Sequence, residues 1–361
     1  MKEIYEEKVN KMIETKIINM NPENIEKEKL KSPAQVLRNG GTVAFPTETV
    51  YGLGANALDE EAVKKIFKAK GRPSDNPLIV HISRVEELNG LVKEIPPKAK
   101  ILMENFWPGP LTIIFEKTDK IPYAITGGLE TVAIRMPSHP IANELIYMAQ
   151  VPVAAPSANI SGKPSPTKGE HVIHDLNGKV DVIISGGSCD VGLESTVVDV
   201  TEEPMILRPG GITKEQLEKV LGFIKVDKAI ETGDTTMVPK APGMKYTHYS
   251  PKADVIIIEG SLDEMVDYIK KIKLEKEKEG LSVGIMCTDE TKDFYEGVVL
   301  SMGSRKDLST IANHLFDILR KFDEENIDII FAESVEKKFL GHAVMNRMIK
   351  AAGYHVIQIG E

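Results

Sequence analysis

The sequence predicts two joined folds of different rhythm. Residues 1–231 form a mixed, largely antiparallel α+β domain, and residues 253–361 a small α/β domain. Three observations predict this. In the first part, short apolar strands and helices follow one another with no strict βαβ order, as in an α+β sheet. In the second, strand and helix patterns alternate regularly, as a mostly parallel, doubly wound, Rossmann-like sheet requires. Between them, 232–252 loses periodicity and is rich in Gly, Thr, Pro and Lys. At 361 residues the chain is comfortable as two domains.

Residues 1–14 read as a polar helical lead and Thr15–Met20 as a first strand. A helix is expected from Asn21-Pro22-Glu23-Asn24, restarted by Pro33 and ended by Gly40-Gly41. The strand Thr42–Phe45 runs into Pro46 and a dense polar turn: Thr47, Glu48, Thr49, Tyr51, Gly52 and Gly54. The next helix has clear signals. Asp59 can cap it, Glu60 and Glu61 suit its positive end, and Val63, Ile66 and Phe67 make an apolar stripe. Lys68 and Lys70 fall in its last turn, and Gly71 can stop it. Pro73 biases Arg72 toward an extended shape, which puts Lys70 and Arg72 on one side of the chain. Two cations there, just before the strand Pro77–Ile82, read either as a phosphate clamp or as a solvated basic turn.

Helices are expected at Val85–Leu91 and Lys98–Phe106, then a rigid turn, Trp107-Pro108-Gly109-Pro110, whose Trp reads as a packed aromatic. Leu111–Phe115 and Thr131–Met136 read as strands. Alternation in the second sets Val132, Ile134 and Met136 on one face and Thr131, Ala133 and Arg135 on the other. Arg135 is then exposed or points into a polar pocket, and the pattern alone does not choose. A helix, Ile141–Ala149, and a buried strand, Val151–Ala155, lead into the small, polar run Pro156–Gly162, followed by Lys163 and Ser165. Such a turn can form an anion-binding nest. Ser185-Gly186-Gly187 and Gly192 make a loop, Ser195–Val200 and Met205–Arg208 are strands, and Thr213 caps Lys214–Leu221.

In the second domain the expected strands are Val255–Glu259, Ser282–Cys287, Gly297–Leu300, Ile327–Glu333 and His355–Ile359. The helices are Leu262–Lys278, Leu308–Phe322 and Gly341–Ala352, and the run KKIKLEKEKE is a solvated helix end. The boundary carries Met244, Tyr246, His248 and Tyr249, aromatic content that a pure spacer has nothing to pack against.

Composition excludes several function classes. Hydrophobic residues at 42% and charged residues at 27% are those of a globular protein. No apolar run approaches the roughly 20 residues of a membrane span, and the charged N-terminus reads as neither signal peptide nor anchor. Cys189 and Cys287 offer no disulfide framework or zinc knuckle, so a reducing cytoplasm is expected. A net charge of −9 argues against a main surface that grips nucleic acid, though not against a local basic groove. There is neither G-x-x-x-x-G-K-[ST] nor a G-x-G-x-x-G after a strand, so any nucleotide is bound in another way.

PTETVYGLG, then KGRP a short helix later, then NPLIVHI resemble the threonylcarbamoyl-AMP synthase family, with its YrdC-like fold. Ala155-Pro156-Ser157-Ala158-Asn159-Ile160-Ser161-Gly162, the strand Ser195–Asp199 and Arg208-Pro209-Gly210-Gly211 extend the match. The segment Pro242–Pro251 is similar to the long, two-domain form of the family. One departure is Thr247, where many relatives carry a basic residue.

The resemblance implies condensation of L-threonine, bicarbonate or CO₂ and ATP to threonylcarbamoyl-AMP, pyrophosphate and water. It implies Mg²⁺ with the triphosphate and few dedicated protein ligands. The product would serve a separate transferase complex that modifies tRNA. By motif position, Lys70 and Arg72 are the catalytic candidates. Arg72, Asn76, Thr131, Ser157, Ser165 and Arg208 fall to ATP, with Tyr246 of the linker. Thr49, His81, Arg135 and Ser195 fall to L-threonine, with Ala155 leaving space between the two substrates. No metal ligands are expected in the protein, and 232–252 is expected to fold over the site. Two alternatives share the fold. One is a carbamoyltransferase, which would need Cys-rich zinc modules that two cysteines cannot build. The other is a double-stranded RNA-binding module around Lys70 and Arg72, disfavoured by the charge and by the lack of an aromatic platform. A weak tRNA contact is compatible with the first domain.

Overall fold

The computed structural model describes residues 13–228, 230 and 249–360. The first domain is built on one long sheet. Its strands are β1 (Lys16–Asn19), β2 (Val43–Phe45), β3 (Gly52–Asn56), β4 (Ile79–His81), β5 (Leu111–Glu116) and β6 (Thr131–Arg135). They continue with β7 (Val153–Ala154), β8 (Val182–Ser185), β9 (Thr196–Asp199), β10 (Met205–Arg208) and β11 (Lys225–Val226). Their order is β1-β8-β2-β3-β7-β4-β6-β5-β9-β10-β11. The mixed character is as expected, but antiparallel pairs do not dominate. β1–β8, β8–β2, β4–β6, β5–β9 and β10–β11 are parallel. β2–β3, β3–β7, β7–β4, β6–β5 and β9–β10 are antiparallel, an even split.

Helices α1 (Lys27–Arg38), α2 (Glu60–Lys70), α3 (Pro97–Phe106), α4 (Tyr123–Thr126), α5 (Pro140–Ala149), α6 (Gly169–Leu176) and α7 (Lys214–Leu221) cover this sheet. The α2 signals hold. The Asp59 carboxylate accepts from the N–H groups of Glu61 and Ala62, and Gly71 stops the helix at φ 62°. Thr213 and Gln216 close a capping box on α7. Trp107 is buried, donates from Nε1 to Leu111 O at 2.7 Å and packs on Phe115.

Three expectations fail for local reasons. The first helix begins at Lys27 rather than Asn21, because Asn21 folds a turn of its own. Its Oδ1 accepts from Glu23 N at 3.0 Å and its carbonyl from Asn24 N at 3.2 Å. Pro33 then sits inside α1 instead of restarting it. Val85–Leu91 makes only one 3₁₀ turn, Val85–Leu88, before Asn89 and the positive φ of Gly90 turn the chain. Gly52–Asn56, expected as turn, is a strand. Its glycines are needed there, since a Cβ on Gly54 would lie 2.7 Å from both Phe45 and Val153. Helix α6 and strands β8 and β11 were not anticipated.

The second domain follows its expectation closely. Strands β12 (Asp254–Glu259), β13 (Val283–Cys287), β14 (Val298–Ser301), β15 (Ile329–Glu333) and β16 (Val356–Gln358) pair in the order β14-β13-β15-β12-β16, all parallel. Helix α8 (Leu262–Lys278) packs its buried residues on one face, and α9 (Leu308–Glu324) and α10 (Leu340–Ala351) pack on the other. The sheet is doubly wound.

The domains share a seam. Val50 and Leu193 of the first domain join the apolar cluster of the second, with Tyr249. Arg320 donates to Pro164 O at 2.6 Å and to Asp175 Oδ2 at 2.8 Å. Asn313 donates to the carbonyls of Cys189 and Asp190. Gly192, at φ +76°, lies so close to α9 that a Cβ would stand 2.4 Å from Asn313 Cα. Of the linker 232–252 that was expected to fold over the site, 232–248 lie outside the described residues; of the remainder, Tyr249 lines the cleft.

Candidate active site

The ends of β3, β4, β6, β7 and β9 and the loops after α2 and β7 enclose a cleft of about 760 Å³, open mouth included. Thr49, Lys70, Arg72, His81, Arg135, Ala155, Ser157, Ser195 and Arg208 line it, as do Glu194 and Tyr249. Asn76, Thr131 and Ser165 are not among the lining residues: Thr131 opens β6 opposite Glu116, Asn76 is buried, and Ser165 reaches the lining through Glu194. Tyr246 lies outside the described residues.

At one end the strand pairing sets His81 beside Arg135. The open choice for Arg135 is settled: it is buried and points into the cleft. Its Nη2 lies 2.7 Å from Glu48 Oε1, Nη1 donates to Thr49 Oγ1 at 2.8 Å, and Nε donates to Gly109 O at 3.3 Å. Burial, the largest influence, pushes the Glu48 carboxyl up; the Arg135 charge together with the polar contacts around the carboxylate more than offsets it and holds the pKa below the ordinary value. The pair touches without an aligned hydrogen bond, so Arg135 Nη2 and both Glu48 oxygens are buried and unsatisfied.

The hydroxyl chain there is polarised. Thr47 donates to Val50 O at 2.7 Å, so at the 2.8 Å Thr47–Thr49 contact Thr49 is the donor. With Arg135 on one lone pair, Thr49 can only accept from a substrate. Burial, foremost, pushes His81 down to about 3, so its imidazole is neutral. Its Nδ1 meets Ile79 O at 3.2 Å and must donate there, which leaves Nε2 as the acceptor of the ring.

At the other end Arg208 donates to Ser195 O from Nε at 3.1 Å and from Nη2 at 2.9 Å, and to Ser195 Oγ at 3.1 Å. Thr112 Oγ1 meets the same hydroxyl at 2.7 Å. Ser165 Oγ donates to Glu194 Oε1 at 2.6 Å, and Glu194 Oε2 accepts from Arg347 Nε at 2.8 Å. Burial disfavours the Glu194 anion. The charges of Arg347 and Arg208 and the Ser165 hydroxyl more than offset this, and its pKa falls to about 2.

Asn76 is buried with both side-chain polar atoms unsatisfied. Arg72 is half-buried on its loop and reaches Pro77 O at 3.4 Å. Lys70 departs from the clamp geometry. It is buried, and its amine donates to Ser157 O at 2.5 Å, Asn159 O at 2.6 Å and Asn159 Oδ1 at 3.3 Å. Its three N–H groups are spent on the Ser157–Asn159 turn, so Lys70 shapes the nest while Arg72 faces the cleft. Lys70 and Arg72 leave the same helix end but do not act side by side, because the left-handed Gly71 intervenes.

Sequence reasoning missed Thr112, Glu194 and Arg347 and assigned no role to Glu48. Glu48 stood in the polar turn and Glu194 beside Ser195, so both had a positional signal. Arg347 had none, being one basic residue on an amphipathic helix. Among the described lining residues Lys70, Arg72, Arg135, Lys163 and Arg208 are cationic and only Glu194 is a carboxylate. No group of three or more His, Cys, Asp or Glu among the described residues could hold a metal ion. No helix among them is long and apolar enough to cross a membrane.

Residues 35–210 match the Sua5/YciO/YrdC family profile described as "Telomere recombination", and residues 212–353 match the profile "Threonylcarbamoyl-AMP synthase, C-terminal domain". The chain is 51% identical to the threonylcarbamoyl-AMP synthase of Pyrococcus abyssi over 96% of its own length and 100% of the relative's. It is 52% identical to that of Bacillus subtilis over 90% and 93%. The crystal structure of P. abyssi Sua5 complexed with L-threonine superposes with a TM-score of 0.91 at 50% identity, covering 96% of this chain and all of that one. With both domain profiles in order and half its residues shared with relatives spanned over nearly their full length, the chain belongs to the two-domain threonylcarbamoyl-AMP synthase family.

Proposed function

We propose that this protein condenses L-threonine, bicarbonate or CO₂ and ATP into threonylcarbamoyl-AMP, releasing pyrophosphate and, where bicarbonate is the carbon source, water. The observation that carries this reading is the charge of the cleft: cations from separate elements converge where only one carboxylate is found among the described lining residues. A triphosphate, a carbamate and an amino-acid carboxylate can share such a space. The Arg135 end takes L-threonine. Arg135 meets its carboxylate, and the Thr49 lone pair and His81 Nε2 accept from its hydroxyl or amine. Arg72, the Ser157–Asn159 turn and Arg208 take ATP, with Asn76, Thr131 and Ser165 supporting, and Ala155 leaves space between the two substrates. Ser165 has committed its proton to Glu194. It therefore offers lone pairs, which suit a ribose hydroxyl or the adenine amine better than a phosphate oxygen.

The free amine nitrogen of threonine bonds to the carbon of CO₂ and sheds a proton to solvent, giving a carbamate; from bicarbonate the same carbamate forms with loss of water. A carbamate oxygen then attacks the α-phosphorus, and the bond to the bridging oxygen breaks as pyrophosphate leaves. Positioning and electrostatics supply the catalysis. Mg²⁺ would accompany the triphosphate and offset part of its charge, with few dedicated protein ligands. On this reading the product passes to a separate transferase that modifies tRNA. The test is pyrophosphate release measured with each substrate withheld in turn. Release must require threonine and bicarbonate together, and ATP turnover indifferent to threonine would overturn it.

A further inference from the structure

Every described side chain assigned to a substrate comes from the first domain, yet one described residue bonded to a group in the cleft wall does not. Arg347 lies on α10 of the second domain, fully buried. It crosses the seam to Glu194, the one carboxylate among the described lining residues. Its Nη1 donates to Asn346 Oδ1 at 2.9 Å, its Cζ lies 5.8 Å from the Tyr249 ring centroid, and its Nη2 is buried with no hydrogen-bond partner. Glu194 in turn binds Ser165 and sits beside Ser195, whose carbonyl holds Arg208.

We propose that Arg347 is a positioning residue of the first domain's nucleotide site: it neutralises and orients Glu194, and through it sets Ser165 and the neighbouring Ser195–Arg208 contact. The inference rests on the reading that ATP occupies this end of the cleft. The physical need is plain. A buried carboxylate facing a polyanion repels it unless a cation is fixed behind. A cation inside the first domain would compete for the phosphates. One held in the second domain, behind Glu194, neutralises it without entering the cleft. The second domain therefore completes the active site electrostatically, and docking of the domains becomes a condition for nucleotide binding.

The groups facing Glu194 are Ser165, Arg208, Arg347, Tyr249 and, within electrostatic range, Lys350. Removing Arg347 strips away its largest opposing charge, so the carboxyl should begin to titrate near its ordinary range.

The experiment measures ATP and threonine binding separately by calorimetry on the full-length chain, for wild type, Arg347→Met, Glu194→Gln and the double variant. Arg347→Met should weaken ATP about ten- to a hundredfold, the scale of one lost charge-assisted contact. Threonine affinity should change little. The double variant should regain most of the loss, because the repelling charge has gone, and Glu194→Gln alone should bind ATP at least as well as wild type. ATP binding by Arg347→Met should also strengthen, relative to the double variant, as pH falls toward about 4.5, where a carboxyl in its ordinary range takes up a proton. Unchanged ATP affinity in Arg347→Met overturns the proposal, as does a loss that Glu194→Gln fails to repair. If Arg347→Met does not fold, Glu194→Gln still decides, since weaker ATP binding there contradicts the proposed repulsion. A wild-type chain that binds no ATP would instead overturn the assignment of the cleft.

Discussion

The two ends of the cleft use the same device and secure it differently. At the end assigned to threonine, Arg135 and Glu48 stand 2.7 Å apart within one domain. They are fixed by the β4–β6–β5 pairing and by the turn after β2. At the nucleotide end the Glu194 carboxylate is met from across the seam by Arg347. The first pair exists whenever the first domain folds; the second exists only when two domains dock. The difference shows that a buried charge pair can report either the fold of one domain or the assembly of two.

The largest expected effect lies in the self-contained pair. Arg135→Met leaves Glu48 as an uncompensated buried anion, a loss of about 3–5 kcal/mol by the usual cost of breaking such a pair. Urea unfolding should show it, together with loss of threonine-dependent pyrophosphate release. Adding Glu48→Gln should recover stability but not activity. Recovery of both would mean that Arg135 is structural only.

Acid should separate the two ends next. His81 is buried neutral with its pKa depressed to about 3, so the unfolded chain binds a proton there first. Its share of stability is present above about pH 6.5 and is lost as pH falls toward 3. Asp175 and Glu194, at the seam, are carboxyls held down to about 2. Their share is present above about pH 4.5 and is lost only as pH falls from there toward 2. Stability measured against pH should therefore decline in two stages. His81→Gln should flatten the upper stage and Asp175→Asn the lower, and a single stage shared by both variants would erase the distinction.

Arg72→Ala tests a side chain that belongs to neither pair. A lost charge-assisted hydrogen bond of about 1.5–3 kcal/mol predicts a roughly ten- to hundredfold fall in kcat/KM for ATP. The unfolding midpoint should not move, since Arg72 is half-exposed on a loop. Lysine should rescue only in part, because it lacks the planar fork. The smallest effect is discrimination of threonine from serine. One missing methyl is worth about 1–3 kcal/mol, whereas valine leaves hydroxyl partners unpaired and should be rejected more strongly. Initial rates at subsaturating amino acid check the order.

The second domain was legible almost element by element, because long helices such as Leu262–Lys278 and Leu308–Glu324 carry many turns of periodic signal. The first was less so. Strands of two or three residues, such as Val153–Ala154 and Val43–Phe45, hold too few positions for alternation to speak. The glycine-rich β3 reads as turn because its fitness for a strand lies in what packs on it. Within the site, Arg135, His81 and Ser195 were found by motif, and the structure brings them to one cleft. Lys70 was placed on the right element with the wrong outlook, since whether an amine faces solvent or a carbonyl turn depends on distant chain, here Ser157 and Asn159. Arg347 was invisible because its meaning arises only where another domain arrives.

Gly192 carries the matter into the history of such a protein. A side chain at that position would collide with the backbone of α9 at Ala312 and Asn313. Those two stretches of chain, encoded far apart, thus form one lock whose halves cannot drift independently. Domain exchange between relatives is then constrained at the level of backbone contour, before any charge is considered. A chimera joining this first domain to a foreign second domain should assemble only where the partner helix presents an equally flat surface to residue 192, and such proteins would be inherited as matched pairs.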